Sequence, residues 1–339
     1  MNTEAPVLPT GPGPGRASAP LPERVRRFPF PFPHEQYMYS VNVEPARRLI
    51  ATAGGGWGDR VVEVDEFYLR DVSARRVVLD RDPTRAAQLP HMRPAVWGTL
   101  HHLLDELATT YPGQMSYERA GNQCRWVNRL QQLDLSFRFG DDESLPGGPL
   151  QFLSTQIQED FALLDHREDA LWLDAGVVTF AADWSMGFNV GLPFREIHGP
   201  VPRAAALGVV ERAEQFMIGL QPGDPYRRTN WTMTVDRRLD TSTESYPEWA
   251  RDRSLVVGDP ALADRLHLRV EVQHLIKVPT TGALLFLIRT HLLSLRDLAT
   301  VPAWRARFGE VLRTLPDDLA QYKGIARYKD AATSWLLEG

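Results

Sequence analysis

The clearest alternation of apolar and polar residues in the chain runs over 266–278, LHLRVEVQHLIKV. Every second residue from Leu266 to Val278 lies on one face, and apart from His274 that face is apolar, which predicts a strand. Residues 283–290 are almost continuously apolar and predict a central strand that is covered on both faces. The two segments, separated by a Pro-Thr-Thr-Gly turn, predict an antiparallel hairpin.

Shorter patterns predict further strands. Residues 226–235 alternate so that Arg227 and Arg228 point to opposite sides of a strand. Residues 61–69 have the β-branched and aromatic composition of a strand. Residues 170–180 predict a hairpin of two short strands that turns within its Asp-Ala-Gly sequence.

Apolar residues at a helical spacing predict helices over 94–110, 149–164, 203–220 and 301–313, the third with Phe216 in the core, and a last helix closes the chain. Residues 240–262 have no period, so we expect an irregular segment there, the best candidate for a mobile lid. Because strands cluster among flanking helices without regular strand–helix–strand alternation, the pattern predicts an α+β fold around an antiparallel sheet.

Composition separates a tail from a domain. Residues 1–24 are rich in proline, glycine and alanine and bury too little apolar surface to fold, so we expect a disordered tail. The chain as a whole is 43% hydrophobic, which is enough for a sizeable core. We therefore expect residues 25–339 to form a single domain.

Charge and cysteine content reduce the number of possible functions. The formal net charge is −5 and no basic run occurs, which argues against a nucleic-acid partner. Cys124 is the only cysteine, so the chain alone cannot form a disulfide, a CxxC zinc site or an iron–sulfur cluster, and redox chemistry would need a bound cofactor. Neither a membrane-spanning run nor a signal pattern is present, so we expect a cytoplasmic protein without membrane contact.

One histidine stands out by its setting. His198 lies on a loop between Gly191 and Pro202. Its prolines fix φ and present the imidazole at a fixed angle, and its glycines allow backbone or a flat ligand to approach closely. Such a loop offers a metal ligand or a catalytic group. The alternative is that His198 only caps the loop. In that case His274 is the next candidate ligand. The HExxH, GxSxG, P-loop and GxGxxG motifs are all missing from the sequence.

Several segments together carry a family resemblance: QEDFALL (158–164), FAADW (180–184), IHGPVP (197–202), RRTNW (227–231), RVEVQHLIKVPTTGALLFLIRTHL (269–292) and YKG (322–324). In order and spacing they resemble the haem-binding subunit of haem-dependent oxidative N-demethylases, over most of residues 60–337. The most specific of these signals is IHxPVP followed by RRxNW.

The resemblance implies a haem b protein built on a PAS-like antiparallel sheet with added helices. It also implies a monooxygenase-type reaction, in which a small secondary or tertiary amine is oxidised with O₂ and formaldehyde is released. The reducing equivalents would come from NAD(P)H through a flavin-containing reductase on another chain. A reductase on another chain is consistent with the single cysteine of this sequence.

The resemblance also suggests how the cofactor is held. His198 would be the iron ligand, because an imidazole can bind iron through one nitrogen while a carbonyl or carboxylate fixes the other. Arg227 and Arg228 match the family's paired arginines, and at least one should hold the haem propionates, with surface ion pairing as the alternative. Trp231, like Trp184, would form a pocket wall or core.

Glu271 is the catalytic candidate that the resemblance implies. It matches the family's strand glutamate and would be the counter-ion of a protonated amine, with an ion pair to Arg269 as the alternative. The chain departs from the family pattern nearby, at Val272-Gln273-His274, and again at Phe188-Asn189. Both departures bear on the substrate. A PAS-like haem or small-ligand sensor without turnover is the competing function.

Overall fold

The structure is a computed structural model that describes residues 20–39, 42–204 and 206–338. Its strands are β1 (Glu44–Pro45), β2 (Ile50–Thr52), β3 (Gly55–Trp57), β4 (Ala86–Gln88), β5 (Met115–Ala120), β6 (Gln123–Asn128), β7 (Leu133–Arg138), β8 (Asp160–Arg167), β9 (Ala170–Val177), β10 (Tyr226–Val235), β11 (Leu266–Lys277) and β12 (Leu284–Ser294). Its helices are α1 (Glu23–Arg26), α2 (Tyr68–Arg81), α3 (Arg93–Thr110), α4 (Gly148–Ser154), α5 (Met186–Asn189), α6 (Phe194–Ile197), α7 (Val209–Ile218), α8 (Tyr246–Trp249), α9 (Asp252–Leu255), α10 (Leu262–Arg265), α11 (Leu295–Leu298), α12 (Pro302–Thr314), α13 (Asp317–Tyr322) and α14 (Lys329–Glu338). Within the described part of the chain, no helix combines the length and apolar character that crossing a membrane requires.

The largest sheet has seven strands in the order β1-β10-β11-β12-β8-β9-β4, and neighbouring strands run antiparallel. The long hairpin β11–β12 lies at its centre, between β10 and the hairpin β8–β9. A smaller antiparallel sheet contains β5, β6 and β7, and β2 pairs with β3. The prediction of an α+β fold around an antiparallel sheet is confirmed.

The large sheet separates two chemically different faces. We call the face that carries Val270 and His274 the back face, and the face that carries Glu271 and Gln273 the front face. Two large apolar clusters pack on the back face, one around α3 and the other around α12, α14 and the Phe-Pro segment 28–33. The front face carries smaller apolar clusters with polar side chains between them.

The long periodic patterns are confirmed. The segments 226–235, 266–278 and 283–290 form β10, β11 and β12. The helices predicted at 94–110 and 301–313 are α3 and α12, and the closing helix is α14. Most residues of β11 and β12 are buried, and each of these helices buries one side against the core, so the pattern determines the structure.

The single helix predicted at 149–164 is wrong. Helix α4 ends at Ser154, and the QEDFALL sequence leads into β8, which pairs with β12. Phe161 and Leu163 both pack into the back-face core, as alternate residues of a strand do. The apolar residues of this segment fit a period of two and a helical period alike, and pairing with β12 decides in favour of the strand.

The hairpin predicted within 170–180 is also wrong. Strand β9 runs through its Asp-Ala-Gly sequence without a break and pairs with β8. The turn between the two strands lies earlier, at Glu168 and Asp169, which have φ values of 54° and 53°. Glycine at position 176 allows β8 to approach β9 closely, because a Cβ there would collide with the carbonyl oxygen of Phe161.

No strand forms at 61–69. The residues before Tyr68 have no regular structure, and α2 begins at Tyr68 itself. A side chain replaces the missing strand partner, since the backbone N–H of Glu63 donates to Glu159 Oε1 at 2.8 Å. The apolar side chain of Val62 is fully buried in the core, which explains the strand-like composition.

Helix α7 is shorter than the predicted 203–220. It begins at Val209, because the preceding Gly208 has a left-handed backbone with φ of 57°. Phe216, expected in the core, is 37% exposed, and Glu214 is buried in its stead. That carboxylate accepts hydrogen bonds from the backbone and from an arginine, which compensates its burial.

The predicted tail and the segment 240–262 differ from expectation. Of the predicted tail, residues 1–19 lie outside the described residues, and α1 begins within it at Glu23. The segment 240–262, expected to be irregular, contains α8 and α9 and buries Trp249 and Val256.

Two histidines lie among the apolar side chains of the back face. His274 is 2% exposed, and neither of its ring nitrogens has a hydrogen-bond partner among the described residues. Burial, followed by the nearby charges of Arg227 and Arg47, lowers the pKa of His274 to about 3. Burial also lowers the pKa of His291, on the neighbouring strand. Both rings are therefore neutral in the folded protein at pH 7.

Acid should destabilise the fold through His274. In the unfolded chain a histidine takes up a proton below about pH 6.5, whereas His274 stays neutral in the folded protein until the pH approaches 3. Folding stability is therefore lost as the pH falls through this range. Urea unfolding of wild type and His274→Gln between about pH 7.5 and about pH 5 should show about 2 kcal/mol less loss in the variant.

The exposed His34 provides a control, because His34→Gln should keep the wild-type dependence on pH. Equal slopes for wild type and His274→Gln would contradict a neutral, buried His274.

Candidate functional site

The two adjacent arginines of β10 lie on opposite faces of the sheet. Arg227 is fully buried on the back face. Its guanidinium donates to Glu44 Oε1 at 3.0 Å, to the carbonyl of Arg48 at 2.6 Å and to the carbonyl of Gly58. It also lies 4.8 Å above the ring of Trp57. The protein thus satisfies this cation completely.

Arg228 lies on the front face and has no such partners. Its Nε atom is buried without a hydrogen bond, and no carboxylate of the described residues forms an ion pair with it. Burial lowers the pKa of Arg228, while Glu271, Tyr39 and Tyr322 are close enough to raise it in part. A half-buried cation without a counter-ion is unfavourable by itself, so Arg228 is suited to bind an anion.

His198 ends helix α6 on the same side of the sheet, where Arg228 is close enough to lower its pKa further. Its Nδ1–H donates to the carbonyl of Phe194 at 2.9 Å, and the two rings lie 4.0 Å apart. Burial is the main cause of the lowered pKa of His198, so the ring is neutral. Since Nδ1 carries the proton, Nε2 keeps a lone pair, and none of the described residues bonds to it.

Apolar side chains lie on the same face of the sheet as these two residues. The front-face clusters include partly buried side chains that keep some exposed surface: Trp184, Val190, Phe194, Ile197 and Phe286. Such walls favour a ligand with a flat apolar body. The face therefore combines a neutral imidazole, a guanidinium without an ion-pair partner and apolar side chains.

Glu271 lies one strand away from Arg228, on β11. Its Oε1 accepts from the fully buried Arg269 at 3.2 Å, so the ion pair considered as the alternative to a catalytic role is present. Its Oε2 accepts from Gln273 Nε2 at 3.0 Å and from Asn230 Nδ2 at 3.4 Å. Four donors therefore fix the carboxylate in one orientation.

Lys323 lies close to Arg228 at the edge of β10, and the sequence analysis did not select it as a candidate. Its Nζ donates to the carbonyl of Trp231 at 2.7 Å and lies 4.7 Å above that residue's ring. Burial, followed by Arg228, lowers the pKa of Lys323 to about 8. Trp231 itself packs into the back-face core against Phe32 and Phe308, so its ring does not reach His198's side of the sheet. The YKG motif was the available signal for Lys323.

The sequence model of one protein family, described as haem-dependent oxidative N-demethylase, alpha subunit-like, matches residues 56–333. The chain belongs to this family. The family description points to a haem-dependent oxidative N-demethylase-like function. The matched residues include His198, Arg228, Glu271 and Lys323.

In this member of the N-demethylase family, Arg253 joins two distant motifs at the site. Asp183 of the FAADW motif has φ of 59° and accepts from Arg253 at 2.8 Å. Gly324 of the YKG motif has φ of 66°, and a Cβ there would lie 2.5 Å from the same guanidinium. The segment 240–262 therefore braces Lys323 and Trp184, the neighbours of these two residues.

The other sequence candidates lie elsewhere in this N-demethylase family member. His274 is on the back face, away from His198. At the departures from the family pattern, Phe188 is 78% exposed, and Gln273 supplies one of the donors to Glu271. His91 lies near two aspartates in an arrangement that could hold a metal ion, but Arg167 already pairs with both carboxylates.

Proposed function

We propose that this protein binds haem b on the front face of its sheet and oxidatively demethylates a small secondary or tertiary amine. The observation that carries the proposal is the combination of a neutral imidazole with a free Nε2, at His198, and a cation without a counter-ion, at Arg228. Imidazole nitrogen is a common axial ligand of haem iron, and guanidinium binds propionates. The donors and the apolar walls fit the cofactor.

The overall reaction consumes O₂ and two electrons. One oxygen atom leaves in formaldehyde and the other in water, with two protons taken up, which is the balance of a monooxygenase. Haem, once bound, supplies the oxidising chemistry, and the electrons come from NAD(P)H through a flavin-containing reductase on another chain.

The protein's own residues position the reactants. The carbonyl of Phe194 fixes the His198 ring and keeps the proton on Nδ1. Trp184 and Phe286 exclude water from the face where the amine approaches. Glu271, fixed by its four donors, orients the protonated amine as its counter-ion.

In this proposal Arg227 and Trp231 hold β10 in place and do not contact haem, because both side chains are engaged on the back face. We also propose that the sheet is PAS-like. Supporting this, the strands β8 and β12 pair at its centre and each belongs to a hairpin that extends outward.

Hemin titration tests the iron ligand. Wild type should gain a Soret band, whereas His198→Ala should bind hemin at least about tenfold more weakly and with a shifted maximum, because the axial imidazole is lost. His274→Gln, which changes a back-face histidine, should match wild type. Absorbance spectroscopy reads all three. A wild type without a Soret band, or a wild-type spectrum in His198→Ala, would refute the assignment.

Glu271→Gln tests the amine counter-ion. The isosteric amide cannot neutralise an ammonium, so KM for the amine should rise about tenfold or more, with an unchanged hemin spectrum. Formaldehyde release from haem-loaded protein with a reductase and a panel of N-methylamines gives the measurement. If Glu271 serves only Arg269, the variant will lose stability and keep its KM. Absence of formaldehyde from every amine would favour a sensor.

A further inference from the structure

Buried arginines of this protein are generally compensated by carboxylates. The pairs are Arg75 with Asp160, Arg85 with Asp82 and Asp240, Arg269 with Glu271, and Arg289 with Asp65. Two half-buried cations, Arg228 on the front face and Lys323 at the edge of β10, form no ion pair with any described carboxylate. They lie close enough together for Arg228 to disfavour the charged form of Lys323. Two neighbouring positive charges thus lack an ion-pair partner.

The Lys323 side chain is held in place, but only part of its hydrogen-bonding capacity is used. One of its three N–H groups donates to the Trp231 carbonyl, and the ammonium lies over the Trp231 ring. Its own carbonyl accepts from the Thr232 hydroxyl at 2.8 Å, which ties the YKG turn to β10. The ammonium is therefore fixed at the edge strand with donors left for a ligand.

Glu271 is paired with Arg269 at 3.2 Å and also lies close enough to Arg228 and Lys323 to favour their charged forms. One carboxylate thus faces three cations. Asp183 is likewise paired, with Arg253. Arg228, Arg269 and Lys323 together therefore carry two positive charges more than Glu271 balances. A ligand with two carboxylates would balance them, and a monocarboxylate or an uncharged amine would leave the site positive.

We propose that Lys323 is a second cofactor-binding residue, which together with Arg228 binds the two carboxylate side chains of the haem. This inference rests on the proposed function. It places the propionate edge of the cofactor toward β10 and the YKG turn, and it gives the YKG lysine a role in recognition of the cofactor.

Hemin and its dimethyl ester, whose propionates carry no charge, provide the test. Lys323→Met should weaken hemin binding about tenfold and leave the affinity for the ester unchanged, since only the charged carboxylates need the ammonium. Lys323→Arg should keep most of the affinity for hemin. Lys277→Met is the matched control, because Lys277 also donates to a carbonyl, that of Ile218 at 3.2 Å, but lies at the end of β11.

The outcomes distinguish a failure of the proposed function from a failure of the role of Lys323. Wild type that binds neither porphyrin would overturn the proposed function and this inference together. Wild type that binds hemin while Lys323→Met binds it equally well would overturn the role of Lys323 alone. Equal losses for hemin and its ester would also overturn it, because the defect would then not involve carboxylates.

A second measurement does not depend on whether Lys323→Met folds. The chain has three lysines, Lys277, Lys323 and Lys329, so ¹³C-methylated amines give few NMR signals, and Lys323→Arg assigns the one from residue 323. Zinc protoporphyrin should raise the pKa of Lys323 from its depressed value by about one unit or more, and its dimethyl ester should not. An unchanged titration with zinc protoporphyrin would overturn the inference.

Discussion

The structure depends on how one strand distributes two positive charges. Side chains of β10 alternate between the faces of the sheet, so Arg227 and Arg228 cannot share an environment. The back face supplies a carboxylate and two carbonyls to Arg227, whereas the front face supplies no ion-pair partner from the described residues to Arg228. The first arginine anchors the strand, and the second keeps its charge available for a ligand.

The two faces of the sheet differ in the same way as the surroundings of the two arginines. The back face holds the large apolar clusters and even buries neutral histidines such as His274. The front face keeps half-buried aromatic rings, a free imidazole nitrogen at His198 and unpaired cations, all of which lower the stability of the empty protein. Sites that bind a charged cofactor commonly carry such a penalty, and ligand binding offsets it.

Much of the fold follows from the sequence where the periodic pattern is long. Strands β10, β11 and β12 were predictable because each continues over ten or more residues, and because most residues of β11 and β12 are buried. The helix expected at 149–164 failed because a short apolar segment fits two periods, and only pairing with a distant strand selects one. At 61–69, side-chain partners replaced the backbone pairing that composition alone suggested.

The site was predictable in part for the same reason. Motif spacing gave His198, Arg228 and Glu271, and the alternation of β10 already implied that only one arginine could face the site. Which face that would be depends on long-range contacts, such as that of Arg227 with Glu44, that no local pattern contains. Lys323 escaped notice because its position depends on the Trp231 carbonyl, far away in the sequence.

Paired substitution of the two arginines tests the central claim most directly, with urea unfolding and hemin titration measured on each variant. Arg227→Met should lower the free energy of unfolding by about 3 kcal/mol, because buried acceptors lose their donor, and the folded fraction should bind hemin as wild type does. Arg228→Met should keep or raise the free energy of unfolding, because an uncompensated charge is removed, and should weaken hemin binding about tenfold. An Arg228→Met protein that is as unstable as Arg227→Met, with its hemin affinity intact, would contradict the account.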